Sequence, residues 1–197
     1  MRALELRQIQ QLYFGVEDIA NVLRITHSSA KVTAHRYAQN RVLIRLKKDL
    51  YVLSERFFSM PEEDRFRIAN LIQTPSYVSL TSALSHYNVS TQQTRGFIES
   101  IALKRTKTVH IGNAIFTFKR IKEDLYNGFE LKDGYFIAFP EKALADCVYL
   151  TALKRYRGDF EAVDFKKLKI KKVDGYLPKS NCRVRLFWDR LCENCKF

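Results

Sequence analysis

Apolar side chains change their spacing along the chain, and each change marks an element. Val16, Ile19, Ala20 and Leu23 fall at i, i+3, i+4 and i+7, which predicts a helix over 16–23 with one buried stripe. Upstream, a helix is expected over 4–13, with Leu4, Ile9 and Leu12 as its buried positions. After a three-residue turn, Thr26 offers a hydroxyl N-cap with Ser29 three residues on, and a longer helix is predicted over His27–Gln39. Ala30, Thr33 or Ala34, and Tyr37 would face its core; Ser28, Lys31, His35 and Arg36 fall on the other side. Two apolar runs, 42–46 and 50–53, flank Lys47, Lys48 and Asp49 and predict a β-hairpin with a basic tip. Asp49 suits the end of such a turn because Asp tolerates a left-handed backbone.

Further along, Ser54–Pro61 reads as the boundary between two domains, spanning 1–56 and 61–197. A charged amphipathic helix is expected over 62–72. A short strand then follows Pro75, and a helix lies around 81–87. Strands are expected over 99–110 and 114–122 with Gly112 and Asn113 turning between them. Another short strand covers 135–139, and Pro140 opens a helix with Glu141 near the positive end of its dipole. The tail carries more helix, anchored by Val184, Leu186, Phe187, Trp188 and Leu191. The expected class is α+β: three helices and a hairpin in the order of a winged helix-turn-helix, followed by a mixed α/β C-terminal domain.

Charge sharpens this picture. The 197 residues hold 34 Lys and Arg against 21 Asp and Glu, a formal charge of +13. Residues 1–60 carry ten basic and five acidic side chains, 61–150 eleven and ten, and 151–197 thirteen and six. Two basic ends around a nearly neutral middle point to a polyanionic partner. No apolar run is long enough to span a membrane, the N-terminus lacks the pattern of a signal peptide, and a cytoplasmic protein with reduced thiols is expected. Cys192 and Cys195 form one C-x-x-C, but no second pair joins them and Cys182 stands alone, short of the four ligands zinc takes. No metal and no cofactor is therefore expected. The common nucleotide-binding, hydrolase and metalloprotease motifs are absent, and His27, His35, His86 and His110 lack metal-ligand spacing, so an enzyme is not expected. Asp146 and Cys147 fall on a core helix, where packing is their role.

In a winged helix the third helix enters the major groove. Lys31, His35 and Arg36 would meet bases and phosphates there, and Ser28 and Ser29 at its N-terminus suit a phosphate. Arg41, Arg45, Lys47 and Lys48 would follow the neighbouring backbone, which makes binding steeply salt-dependent. One departure stands out: the turn between the two helices usually carries Gly, and here it has Arg24. Left-handed backbone at that residue costs on the order of 1 kcal/mol.

The segment VEDIANVLRITHSSAKVTAHRYAQNRVLIRLKKDLYVL resembles the N-terminal winged helix of the AbiEi antitoxin family. PSYVSLTSALSHY, GNAIFTFKRI and FIAFPEKALADCVYL are similar to later parts of that family, so the likeness spans roughly residues 10–150. The resemblance implies a regulator of a type IV toxin–antitoxin operon that binds inverted repeats in its own promoter and represses it. It implies a functional link to a nucleotidyltransferase-like toxin without need of direct contact. Inverted repeats favour two copies on the DNA. A rival reading is an RNA-binding or protein-interaction winged-helix module without antitoxin activity. Lys104, Arg105 and Lys107, or the lysine-rich stretch 166–172, would give such a module a second nucleic-acid surface; otherwise they are solvated charge.

Overall fold

In the computed structural model of the chain, residues 2–92 and 95–195 are described, the Cys195 side chain excepted. The fold is mixed α+β, built on two separate sheets. Its first part runs from a 3-10 helix at Arg2–Gln8 through β1 (Phe14–Gly15), α1 (Val16–Leu23) and α2 (His27–Gln39) to the hairpin β2 (Leu43–Lys47) and β3 (Leu50–Leu53). The strands form an antiparallel sheet in the order β1-β3-β2.

The stripe of α1 is buried as its spacing requires: Val16, Ile19, Ala20 and Leu23 are each at most 7% exposed. Asp18 accepts the Gly15 N–H at 2.7 Å and so closes the helix start. At the far end Arg24 adopts φ 50° and ψ 51°, and the Ile25 N–H returns to the Ala20 carbonyl at 3.0 Å. This is a left-handed helix stop of the kind usually given to glycine. It turns the chain into α2, whose N-cap is Thr26, accepting the Ser29 N–H at 3.3 Å. Ala30 and Ala34 bury the opposite side of α2, while Thr33 and Tyr37 are half-buried. Asp49 takes the left-handed position in the hairpin turn, at φ 56°.

The start of the chain differs from expectation. The helix is 3-10 and ends at Gln8, so the 3.6-residue spacing does not apply: Leu6 and Ile9 are buried, Leu12 is half-buried and Leu4 is 59% exposed. Ser54–Ser59, expected as a boundary, is a short helix, α3, whose Phe57 is fully buried.

The second part holds α4 (Glu62–Ile72), β4 (Ser76–Val78), α5 (Leu80–His86), β5 (Phe97–Ala102), β6 (Lys107–Ile111), β7 (Ala114–Arg120), β8 (Phe129–Lys132), β9 (Tyr135–Ala138), α6 (Pro140–Ala152), α7 (Ile170–Tyr176) and α8 (Cys182–Cys195). Six strands form a mixed sheet in the order β6-β7-β5-β4-β9-β8. The single strand expected over 99–110 is two, β5 and β6, which pair with opposite sides of β7. The polar residues 104–106 leave the sheet between them. Strand β8 lay outside the sequence reading. Its signal is Asp133-Gly134 at positive φ, a two-residue hairpin turn into β9.

Helices cover both faces of this sheet. Phe66 of α4 meets Tyr135 edge-on at 5.4 Å, and α6 lies on the face that carries Tyr77. Ten of the thirteen α6 residues are buried, so it is the central helix rather than a surface one. Val173 and Leu177, with Val184 and Trp188 of α8, complete the large core, whereas Leu186 is exposed.

The two most buried carboxylates of that core are matched. Lys142 and Asp146, one turn apart on α6 and each 2% exposed, form an ion pair. The other Asp146 oxygen accepts from Ser79 at 2.8 Å and from Tyr77 at 3.0 Å. Glu99 is likewise buried; it accepts the Thr81 N–H at 3.0 Å and the Tyr156 hydroxyl at 2.9 Å. Burial is the main force on its carboxyl and raises its pKa.

Two predictions follow from these groups. Removing one member of a buried pair strands the other, so Lys142→Met is expected to cost about 3–5 kcal/mol in urea unfolding. For Glu99 the folded pKa lies above the ordinary 4.5. The stability it contributes is full below 4.5 and is lost as pH rises through the raised value. Thermal melts of Glu99→Gln and the parent from pH 4 to 8 should therefore move in the variant's favour as pH rises. A constant difference would contradict the assignment.

Candidate nucleic-acid interface

The exposed side of α2 is built by elimination. Ala30 and Ala34 take the core, which turns Ser28, Lys31, His35 and Arg36 outward, and all four are exposed. Arg36 stacks its guanidinium 5.8 Å from the centre of the Tyr37 ring, which steadies the side chain without neutralising it. Ser28 and Ser29 are also exposed, but their hydroxyls are shared with the cap: the Thr26 hydroxyl lies 3.0 Å from the Ser28 oxygen and donates to Ser29 at 2.9 Å. They form a polar collar at the start of α2 rather than two free donors.

The hairpin divides its cations. Lys48, at the tip, is exposed and, among the described residues, has no hydrogen bond or ion pair within the chain. Lys47 is exposed too, yet its ammonium lies 3.5 Å from the Leu71 carbonyl in the last turn of α4. A cation there is favoured by the helix dipole. Arg45 donates to the Lys47 carbonyl at 3.2 Å, across the bulge that shifts register between Arg45 and Lys47. Arg41 is exposed at φ 57° just past α2. Arg41 and Arg45 rim an open groove of about 490 Å³ whose floor includes Leu43, Phe58 and the Gly112 turn.

Of the second set, Lys104 and Arg105 are exposed on the link between β5 and β6. Lys107 differs from them in burial: it is half-buried, donates to the Ile72 carbonyl at 3.3 Å and sits 5.2 Å over the Phe118 ring. Desolvation lowers its pKa, and Arg105 nearby adds to the effect. Its charge thus serves the end of α4.

One exposed residue of α2 escaped the sequence reading. Val32 is 70% exposed, in the row between Ser28 and Arg36. A helical projection of residues 27–39 places it on the same side as Lys31 and His35, so the signal was present in the spacing.

Elsewhere, His86 and Tyr87 form an edge-on pair at 5.2 Å, and burial, followed by the charge of Lys132, lowers the His86 pKa. Burial raises the Cys147 thiol well above its ordinary value. Cys182 is exposed and Cys192 half-buried, while the Cys195 side chain lies outside the described residues. Among the described residues no group of His, Cys, Asp and Glu is placed to hold a metal ion, and no helix is long and apolar enough to cross a membrane.

No protein-family model and no curated protein matches the sequence. Among solved structures, the RV2827C protein from Mycobacterium tuberculosis is similar in fold, with a TM-score of 0.63 at 12% identity over 97% of this chain and 74% of that one. At that identity the likeness speaks for the architecture alone.

The geometry of this face depends on the start of α2. Thr26→Ala removes the oxygen that accepts from Ser29 and is expected to lower stability by about 1 kcal/mol. Thermal melts of the two proteins measure it, and an unchanged melt would show that the collar does not hold the helix end.

Proposed function

We propose that the chain is a DNA-binding transcriptional regulator. In this reading residues 1–56 are a winged helix-turn-helix domain with α2 as its recognition helix and β2–β3 as its wing. The observation that carries it is the exposed face of α2: Lys31, His35 and Arg36 stand together on one side of a well-capped helix, beside a hairpin tipped by Lys48. Helix order, the left-handed stop at Arg24 and the net charge of +13 support it. The resemblance of residues 10–150 to AbiEi antitoxins narrows the proposal. The chain would repress its own promoter at inverted repeats and counteract a nucleotidyltransferase-like toxin through the α+β domain of residues 61–197.

Roles divide by geometry. Side chains at the middle of α2 reach base edges, and those of the wing reach phosphates. Lys48 is the wing's free charge, and Lys47 would first leave the end of α4.

The test is a gel shift on a promoter duplex, with single-stranded RNA as competitor. Lys31→Ala with Arg36→Ala should lose about 1–3 kcal/mol of discrimination per base contact removed, with circular dichroism unchanged. Lys48→Ala should weaken all duplexes alike and reduce the salt slope by about 1. Binding by both variants at the parent's strength would remove this face from the interface, and preference for RNA would overturn the reading.

A further inference from the structure

The side of α2 that faces away from the core is polar at Ser28, Ser29, Lys31, His35, Arg36 and Gln39, with one apolar exception near its centre. That exception is Val32, 70% exposed. Nothing in the fold of the chain asks for valine there. A β-branched residue on an exposed helix position is a poorer helix former than alanine, lysine or glutamine, and Ala30 and Ala34 already make the contact with the core. Its neighbours along the helix surface are Ser28 and Arg36 at four residues' distance and His35 at three, so any surface that Arg36 and Lys31 draw in closes over Val32 as well.

The chemistry of a duplex groove narrows what Val32 meets. In the major groove, hydrogen-bond donors and acceptors line the edges of all four bases, and the thymine 5-methyl group is the apolar feature. A branched apolar side chain placed over a donor or acceptor would dehydrate it with no return; placed over the methyl it removes apolar surface from water on both sides. We infer that Val32 reads thymine, seating against its 5-methyl group in the major groove with Lys31, His35 and Arg36 around it. The inference rests on the DNA-binding reading of α2 and adds to it a base preference at the middle of the helix.

The full chain is used to select duplexes from a randomised pool of double-stranded DNA. The selected duplex is then remade with each thymine in turn replaced by uracil, which removes the methyl group and leaves base pairing intact. The parent is expected to lose about three- to tenfold in affinity at one or two of these positions, the worth of one buried methyl contact. Val32→Ala is expected to bind the thymine duplex more weakly by a similar factor and to be indifferent to uracil at those positions. Val32 is exposed and alanine is the better helix former, so the variant should fold as the parent does, which circular dichroism checks. Uracil substitution without effect on the parent overturns the inference, as does equal sensitivity in parent and variant; the DNA-binding reading survives both. Failure of the parent to enrich any duplex overturns the two together.

Discussion

The hairpin β2–β3 is a wall shared by two hydrophobic cores, and the arrangement of the molecule depends on it. Alternation along the strands sends Leu43, Tyr51 and Leu53 into the small core with α1 and α2, while Leu46 and Val52 enter the large core and Ile44 and Leu50 lean against it. Side chains of a strand point to opposite faces in turn, so a strand covered on both faces must be apolar at nearly every position. That is why 50–53 is apolar throughout and 42–46 is apolar except at the exposed Arg45. Ile44 also lies near Gly112, where a Cβ would approach Ile44 at 3.2 Å and Phe57 at 2.8 Å. The β6–β7 turn is thereby seated against the hairpin, and only glycine leaves room for it at that positive φ.

The large core solves a different problem. Its central helix is surrounded by protein, yet it carries Lys142 and Asp146. Desolvating two charges is tolerated because Asp146 is bonded by Tyr77 and Ser79 as well as by Lys142, which satisfies most of its capacity. The Tyr77 and Ser79 bonds tie α6 to β4 and to the residue that follows it, and so fix where the helix crosses the sheet, a positional demand that apolar contacts alone make weakly.

Much of the first part was legible in the sequence because its signals are local. The stripe of α1, the cap at Thr26 and the turn at Asp49 each rest on residues within four positions of one another, and the structure has them where spacing placed them. Elements set by distant partners were harder. The split of residues 99–110 into β5 and β6 depends on β7 pairing with both, which no window along the chain reveals. Ser54–Ser59 resembled a link because its one buried anchor, Phe57, meets residues far away in sequence. The candidate face was read from helical spacing, which separated inward from outward positions on α2. Spacing could not tell that Lys47 and Lys107 lean on the final carbonyls of α4, since a lysine's partner is chosen by tertiary placement.

The double cover of the hairpin also decides what becomes of the chain when it is cut. Excising residues 1–56 would keep every element of the small core but strip Leu46 and Val52 of their neighbours, laying a row of bare aliphatic side chains along a β-ribbon. Such a ribbon invites edge-to-edge association. The two cores are therefore expected to melt as a single cooperative unit rather than to part along the seam.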